Sequence, residues 1–386
     1  MSEVLIVGGG LAGAAAAAAL GREKVPVRVL EREKGPCEKI CGEFLSIEAQ
    51  AHLAALGIDA ADLGASSISH VRLVCGKRSA EARLPFVALG LSRRRLDEAL
   101  LAKAQSLGAQ IERGVAVRQV RDGGLETSRG ALEGGRILLA SGKHDVRGAR
   151  RDAAAVRLSG MLGFKSHFRL AARQAQALEG FVEIILLRGG YAGLQMVEDG
   201  RANLCLVVRR AVFDTAGRTW TGLFDRLMGE PHLNERLSEG EQLFSRPLTI
   251  ADIPYGFTHH RKGEASGLYR LGDQSAVIPS FCGNGMAIAL HSARLAANAV
   301  LAGADAGAYH ARLRRDVGGQ IRLAAWLQQR TETWPGGPMS VGLLSLAPGL
   351  IARLVDWTRL SSAVLAEAGT QACTNSISGR PRTARR

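Results

Sequence analysis

Val4-Leu5-Ile6-Val7-Gly8-Gly9-Gly10-Leu11-Ala12-Gly13 is the stretch that decides how this chain folds. Four apolar residues predict a short strand, the glycines at 8, 10 and 13 fit G-x-G-x-x-G, and the alanine-rich run that follows predicts a helix over 11–21. A second apolar run, Val25 to Leu30, ends on Glu31 and completes a βαβ unit with an acid at the tip of its second strand. Each part has a mechanical reason. Gly8 permits the tight turn, Gly10 lets the backbone approach a pyrophosphate, and Gly13 lets the helix pack close to the strand. At Leu11 and Ala12 the first helical N–H groups are unpaired, and the helix dipole favours negative charge there. Glu31 is placed to accept hydrogen bonds from ribose hydroxyls and repels a 2′-phosphate. The unit therefore points to FAD or NAD rather than NADP.

The bulk numbers narrow the class. A chain of 386 residues holds two domains or one large interleaved body. Its 46% hydrophobic content suits a globular protein with a true core. No apolar run reaches the roughly 18 residues of a transmembrane helix. The first strand starts almost at Met1, with no basic segment and apolar core ahead of it, so we expect a cytoplasmic protein without stable membrane insertion. The net charge is +14, and Gly379 to Arg386 form a basic tail. Charge alone argues weakly for a partner, and no recognition-helix, zinc or aromatic-spaced basic motif accompanies it, so no nucleic acid is expected. The six cysteines (37, 41, 75, 205, 282 and 373) lack metal spacing and read as thiols. No metal is expected.

Further along, helices are predicted over 46–56 and from the Ser92 to Asp97 segment to about 107, with strands at 70–75, 80–84, 86–91, 109–112, 115–121 and 124–127. Arg136 to Ala140 reads as a buried strand meeting Ser141-Gly142. From about 152 the texture changes, and alternating runs at 160–170, 181–187, 191–197 and 202–208 predict a larger antiparallel sheet. Helices follow at 219–229 and 233–239, then a strand at 268–271, two long helices at 284–302 and 306–330, and an apolar helical stretch over 341–366. The expectation is an α/β fold. A Rossmann-type nucleotide-binding domain, discontinuous over 1–69, 92–150 and 266–325, is interleaved with a mixed-sheet substrate domain over 70–91 and 151–265. C-terminal helices occupy 326–370, and a basic tail at 371–386 is expected to be disordered.

The second informative stretch runs from Leu271-Gly272-Asp273 to Pro279-Ser280-Phe281-Cys282-Gly283-Asn284-Gly285-Met286. A strand ends at Gly272-Asp273, where Asp273 is placed to bind a hydroxyl of a polyol chain. The N–H groups around Gly283 to Met286 open a helix and suit an electron-rich or anionic group. Two such cradles hold both ends of a long cofactor, which an NAD-only enzyme does not need.

With both motifs in view, residues 1 to about 325 resemble the flavoprotein superfamily that includes para-hydroxybenzoate hydroxylase, the geranylgeranyl reductases and the flavin-dependent halogenases. The resemblance implies FAD. It implies that Gly8, Gly10, Leu11, Ala12, Gly13, Glu31 and Arg32 hold the ADP half, and that Arg93 contacts the cofactor. Ser141 and Gly142 would lie near the adenosine, Gly272 and Asp273 at the ribityl chain, and Pro279, Gly283, Asn284, Gly285 and Met286 beside the isoalloxazine ring. Lys39-Ile40-Cys41-Gly42-Glu43 resembles the Lys/Arg-x-Cys-Gly-Glu/Asp segment of the geranylgeranyl-reductase-like branch, which places Lys39, Cys41 and Gly42 near the flavin.

Three departures qualify the resemblance. Cys282-Gly283-Asn284-Gly285 stands where that branch has Thr-Gly-Asp/Glu-Gly. Val146 replaces the glycine of the aromatic hydroxylases' Asp-Gly motif, which leaves either NAD(P)H or a separate electron donor to reduce the flavin. Trp220, Trp326, Trp334 and Trp357 form no Trp-x-Trp-x-Ile-Pro segment, which disfavours halogenation.

The reading is an FAD-dependent oxidoreductase, by preference a monooxygenase. It would oxidise an apolar or aromatic small molecule through a flavin C4a-hydroperoxide in a water-excluding pocket. The alternatives are geranylgeranyl-reductase-like reduction of a carbon–carbon double bond and flavin dehydrogenation. From another class comes a non-catalytic flavin-fold protein that binds a prenyl or lipid ligand. The flavin itself carries the chemistry, with Cys41 and Cys282 as candidate participants and His167, Tyr191 and Phe281 as candidate pocket residues. His259 and His260 follow a loop and read as solvated.

Overall fold

The computed structural model describes residues 2–151, 160–260, 265–332, 341–342 and 349–367; the tail over 371–386 lies outside them. A five-stranded parallel sheet has the order β17 (Leu268–Arg270), β10 (Arg136–Leu139), β1 (Val4–Val7), β2 (Val27–Glu31), β6 (Gln110–Arg113). β1 is central and all four of its residues are buried, as a parallel strand covered on both faces must be. Helix α1 (Leu11–Arg22) is buried from Leu11 through Gly21. Alanine suits this helix twice over: its propensity is high, and its small side chain admits neighbours closely. α1 packs against α3 (Arg93–Ser106) and α8 (Gly285–Leu301). At Gly13 a Cβ would stand 1.9 Å from the Gly8 carbonyl oxygen, so only glycine lets the helix start this close to the strand.

The second sheet has nine strands. Its path is β15 (Glu241–Gln242), β11 (Met161–Arg169), β14 (Ala202–Arg209), β13 (Gly190–Met196), β12 (Gly180–Leu187), β4 (Ser66–Cys75), β5 (Arg78–Gly90), β3 (Phe44–Leu45), with β16 (Leu248–Ala251) also paired to β11. All pairings are antiparallel except β12 with β4. Segment 1–69 thus supplies β3 and the start of β4 to this sheet. Alternation decides its two faces. Leu162, Phe164 and Phe168 of β11, with Leu204, Leu206 and Val208 of β14, pack under α6 (Trp220–Met228) and α7 (Pro231–Leu237) through Leu223, Leu227, Leu233 and Leu237. The intervening residues, among them Gly163, Lys165, His167, Asn203, Cys205 and Val207, face the other way.

A three-stranded sheet of β7 (Val117–Arg121), β8 (Gly124–Thr127) and β9 (Gly130–Glu133) completes the strands among the described residues. Of these, β9 was not foreseen; neither were β16, α4 (Ala172–Leu178) and α5 (Arg210–Thr215). Short segments of this kind lack the several periods that make amphipathicity visible. α2 (Ile47–Ala55), α9 (Ala306–Glu332) and α10 (Gly349–Trp357) cover the remaining faces, α10 lying on β5. No described helix is long and apolar enough to cross a membrane.

Candidate cofactor and substrate cleft

A cleft of about 820 Å³ runs between the two large sheets. One end is walled by Glu31, Arg32 and Val115 to Val117, and the middle by Gly8, Gly10, Leu11, Ala12 and Ser141 to Asp145. The far end is walled by Cys37 to Phe44, Gly272, Asp273, Gly283, Gly285 and Met286. Gly8 has φ +100°, and a Cβ there would meet the Ala140 carbonyl oxygen at 2.6 Å, so β1, β10 and the turn close on each other only through glycine. No side chain caps α1, so its first N–H groups face the cleft unclaimed. Glu31 accepts the Gly9 N–H at 2.7 Å and the Glu33 N–H at 2.9 Å, which fixes its carboxylate at the strand tip.

Of the residues expected at a cofactor, all line this cleft except three. Gly13 lies behind the wall, packed on Gly8, and acts on the cleft only by setting the position of α1. Asn284 is turned away, donating from Nδ2 to the Thr358 carbonyl at 2.5 Å. Pro279 also falls outside the wall: the turn Ser280–Cys282, closed by left-handed Gly283 (φ +69°), presents Ser280 and Gly283 instead.

The candidate participants divide likewise. Cys41 lines the cleft, and its sulfur accepts the Glu43 N–H at 3.4 Å and faces the Arg93 guanidinium. Cys282 does not line it. Burial pushes the Cys282 thiol up to about 12, so it stays protonated at neutral pH. Tyr191 and Phe281 meet each other edge to face at 6.1 Å outside the wall. His167 is fully buried and turns Nε2 to Glu43 at 2.8 Å rather than into the cleft. His259, expected to be solvated, is buried beside His310, while exposed His260 pairs with Arg314.

Several cleft residues escaped the sequence reading. Glu43 is fully buried, in a left-handed backbone conformation (φ +59°), with Lys165 Nζ 2.5 Å from Oε1. Burial opposes its charge, but Lys165 and His167 outweigh burial and hold its carboxyl below the usual range. Lys143 pairs with Asp273 at 2.9 Å; burial opposes both charges, yet the pair holds the lysine up and the aspartate down. The large sheet and the loop after it add Gly163, Cys205, Val207, Ile250, Ile253 and Tyr255. Burial raises Cys205 and Tyr255 to about 12 each, and the Tyr255 and Ser280 hydroxyls are hydrogen-bonded at 2.6 Å. Two signals were present in the sequence: Glu43 closes the Cys41-Gly42-Glu43 segment, and Lys165, which holds it from behind, is a lone lysine among apolar residues.

An open helix N-terminus, a glycine floor and an acid at the β2 tip, continuing past Asp273 to the α8 N-terminus, fit FAD at this cleft. The comparisons agree. Residues 1–133 match the family model described as FAD binding domain. No curated protein matches the chain. Among solved structures, the flavin-dependent brominase Bmp2 is 18% identical, with TM-score 0.73 and 96% of each chain covered. A geranylgeranyl bacteriochlorophyll reductase-like protein from Thermoplasma acidophilum is 17% identical, with TM-score 0.67 and 97% of each chain covered. Halogenase PltM, in complex with phloroglucinol and FAD, is 13% identical, with TM-score 0.66, covering 86% of this chain and 76% of its own. The N-terminal match gives residues 1–133 as an FAD binding domain, and the chain as a whole shares the fold of these flavoproteins.

Proposed function

We propose that this flavoprotein is a monooxygenase acting on a small apolar or aromatic molecule. One observation carries the reading: beyond the cofactor half, the cleft continues along an apolar wall of Gly163, Val207, Ile250, Ile253 and Val277. Such a wall binds an apolar body and keeps water from the reacting centre. Bound FAD supplies the electron transfer and the reaction with oxygen. The chain binds and orients. The α1 N-terminus and Arg32 take the phosphates, Glu31 the ribose, Asp273 the polyol chain, and the backbone of Gly283 to Met286 the ring edge. Around this end of the cleft Glu43 is paired with Lys165 and Asp273 with Lys143, and burial holds Cys205 and Tyr255 protonated at neutral pH.

A second reading, reduction of a carbon–carbon double bond, draws support from Lys39 to Glu43, the reductase-like segment, which lines the cleft. The two part in one experiment. Protein loaded with FAD and reduced anaerobically is mixed with oxygenated or oxygen-free buffer and a phenol or an alkene. A product heavier by one oxygen atom, formed only with oxygen, is the expected result. A product heavier by two hydrogens, formed without oxygen, selects the reductase instead. The electron donor, NAD(P)H or a separate protein, is read from which one bleaches the oxidised flavin.

A further inference from the structure

Four polar residues lie buried on the cleft-facing side of the large sheet: Lys165 and His167 on β11, Asn203 on β14 and Gln195 on β13. Three of them form a row, because the strand register pairs His167 with Asn203 and Asn203 with Gln195. All four reach up to one short segment. Asn203 Nδ2 donates to the carbonyls of Cys41 (3.2 Å) and Gly42 (2.9 Å). Gln195 Nε2 donates to the Glu43 carbonyl at 2.9 Å. Lys165 and His167 take the two carboxylate oxygens of Glu43, and the Arg93 N–H adds a third bond to Oε1 at 2.8 Å. Lys165 also reaches Glu38 Oε2 at 2.9 Å. The Glu43 carbonyl accepts the Leu91 N–H as well.

Polar groups on the inner face of a sheet are costly unless each is bonded, and a left-handed glutamate persists only where its surroundings over-determine it. Neither feature is needed to close a sheet on helices, which the opposite face does with leucine and phenylalanine. We propose that Glu43, Lys165, His167, Gln195 and Asn203 are positioning residues, a rack that fixes Cys41 and Gly42 in the cleft wall where the flavin would bind. This rests on the FAD reading. The rack acts through the Cys41–Glu43 backbone, and of its members only Glu43 reaches the cleft wall. It makes the large sheet, which also supplies the apolar wall, the support of one side of the cofactor site.

The test uses the full-length protein with Asn203→Leu, Gln195→Met and Glu43→Gln, plus Lys165→Arg as the conservative variant. Leu206→Ala, on the opposite face of the sheet, controls for general loosening. In flavin-free protein, monobromobimane labelling of Cys41 is followed by peptide mapping. The rack variants are expected to label roughly tenfold faster than wild type, since each loses a bond to the segment that carries the thiol. Lys165→Arg and Leu206→Ala stay near the wild-type rate. In FAD-loaded protein, the rack variants bind FAD about tenfold more weakly and shift the visible flavin spectrum. Folded variants with an unchanged Cys41 rate overturn the rack, as does an equal rise in Leu206→Ala. If Glu43→Gln does not fold, the single-bond variants at 195 and 203 decide. If wild type takes up no FAD, the FAD reading fails while the labelling still judges the rack.

Discussion

The parallel sheet and the large mixed sheet build their sides of the cleft from different materials. The parallel side uses backbone: β1 carries only apolar side chains, and its ligand-facing groups are the glycine turn and the open end of α1. The mixed side uses side chains delivered by distant strands: Cys205 and Val207 line the cleft, and Lys165 and Asn203 hold the Cys41–Glu43 segment from behind. A backbone site is written in consecutive residues, because the turn and the helix start are local. A side-chain site depends on strand register, since a one-residue slip sends every side chain to the other face. The first kind is rigid against substitution at its glycines. The second kind stores its vulnerability in buried charge.

The sharpest way to break the contrast is at Gly13. A side chain there drives a carbon into the Gly8 carbonyl. Gly13→Val is expected to destabilise the fold by more than about 4 kcal/mol, in the exceptional class of single substitutions, and to yield protein without flavin. Gly42→Ala is the control, because a Cβ at Gly42 meets nothing within 4 Å. It should leave the thermal midpoint near that of wild type. A Gly13→Val protein that melts normally and keeps flavin would mean that the backbone side tolerates what its geometry forbids.

Next in size is Glu183, the mixed sheet's most heavily paired carboxylate away from the cleft. It is fully buried on β12 and holds Arg72, His232 (2.7 Å) and Arg236 (2.9 Å). Burial opposes its charge, but His232 and Arg236 outweigh burial and bring the carboxyl down to about 2 from its ordinary 4.5. A depressed carboxylate gives stability that is complete above the unfolded-state value and lost as pH falls through the folded one. Urea midpoints should therefore fall between about pH 4.5 and 2, by about 3 kcal/mol from this group alone. Glu183→Leu strands the buried Arg236, while half-buried Arg72 keeps its pair with Glu81. The substitution should cost about 3–5 kcal/mol at neutral pH and flatten that acid limb. An unchanged limb would assign the acid sensitivity elsewhere.

The same contrast explains what could be read in advance. The βαβ unit, Gly272-Asp273 and the strands from 160 to 208 were legible because each announces itself within a few residues: glycine spacing, an acid at a strand tip, a period of two. What covers a face was not. His167 and Tyr191 sit on correctly foreseen strands and on the cleft-facing side, yet Glu43 meets His167 and Phe281 meets Tyr191, because the covering segments come from outside the sheet. Cys282 and Asn284 were misplaced for a related reason. The left-handed turn at Gly283 reverses the loop, and the thiol and amide end against the core and Thr358. Thiol chemistry exposes that error directly. At mildly alkaline pH, monobromobimane should label Cys41, in the cleft wall, and leave Cys282, whose thiol burial holds at about 12. Faster labelling at Cys282 would return it to the site.

The smallest effect separates two aromatic residues near the substrate wall. Tyr255 lines the cleft, and its hydroxyl meets Ser280; Phe281, its near neighbour in space, does not line it and packs on Tyr191. In FAD-loaded protein, phenol binding read from the flavin absorbance should weaken by about 1 kcal/mol in Tyr255→Phe, the worth of one hydrogen bond. Phe281→Leu should leave phenol binding within a factor of about two while costing about 0.5–1.5 kcal/mol of stability through the lost edge contact. The comparison turns on the sign of the difference, which survives if both shifts are small. If Phe281 alone moved the affinity, the substrate wall would lie on the far side of the Ser280–Cys282 turn. The side-chain half of the cleft would then be built from the loop rather than the sheet.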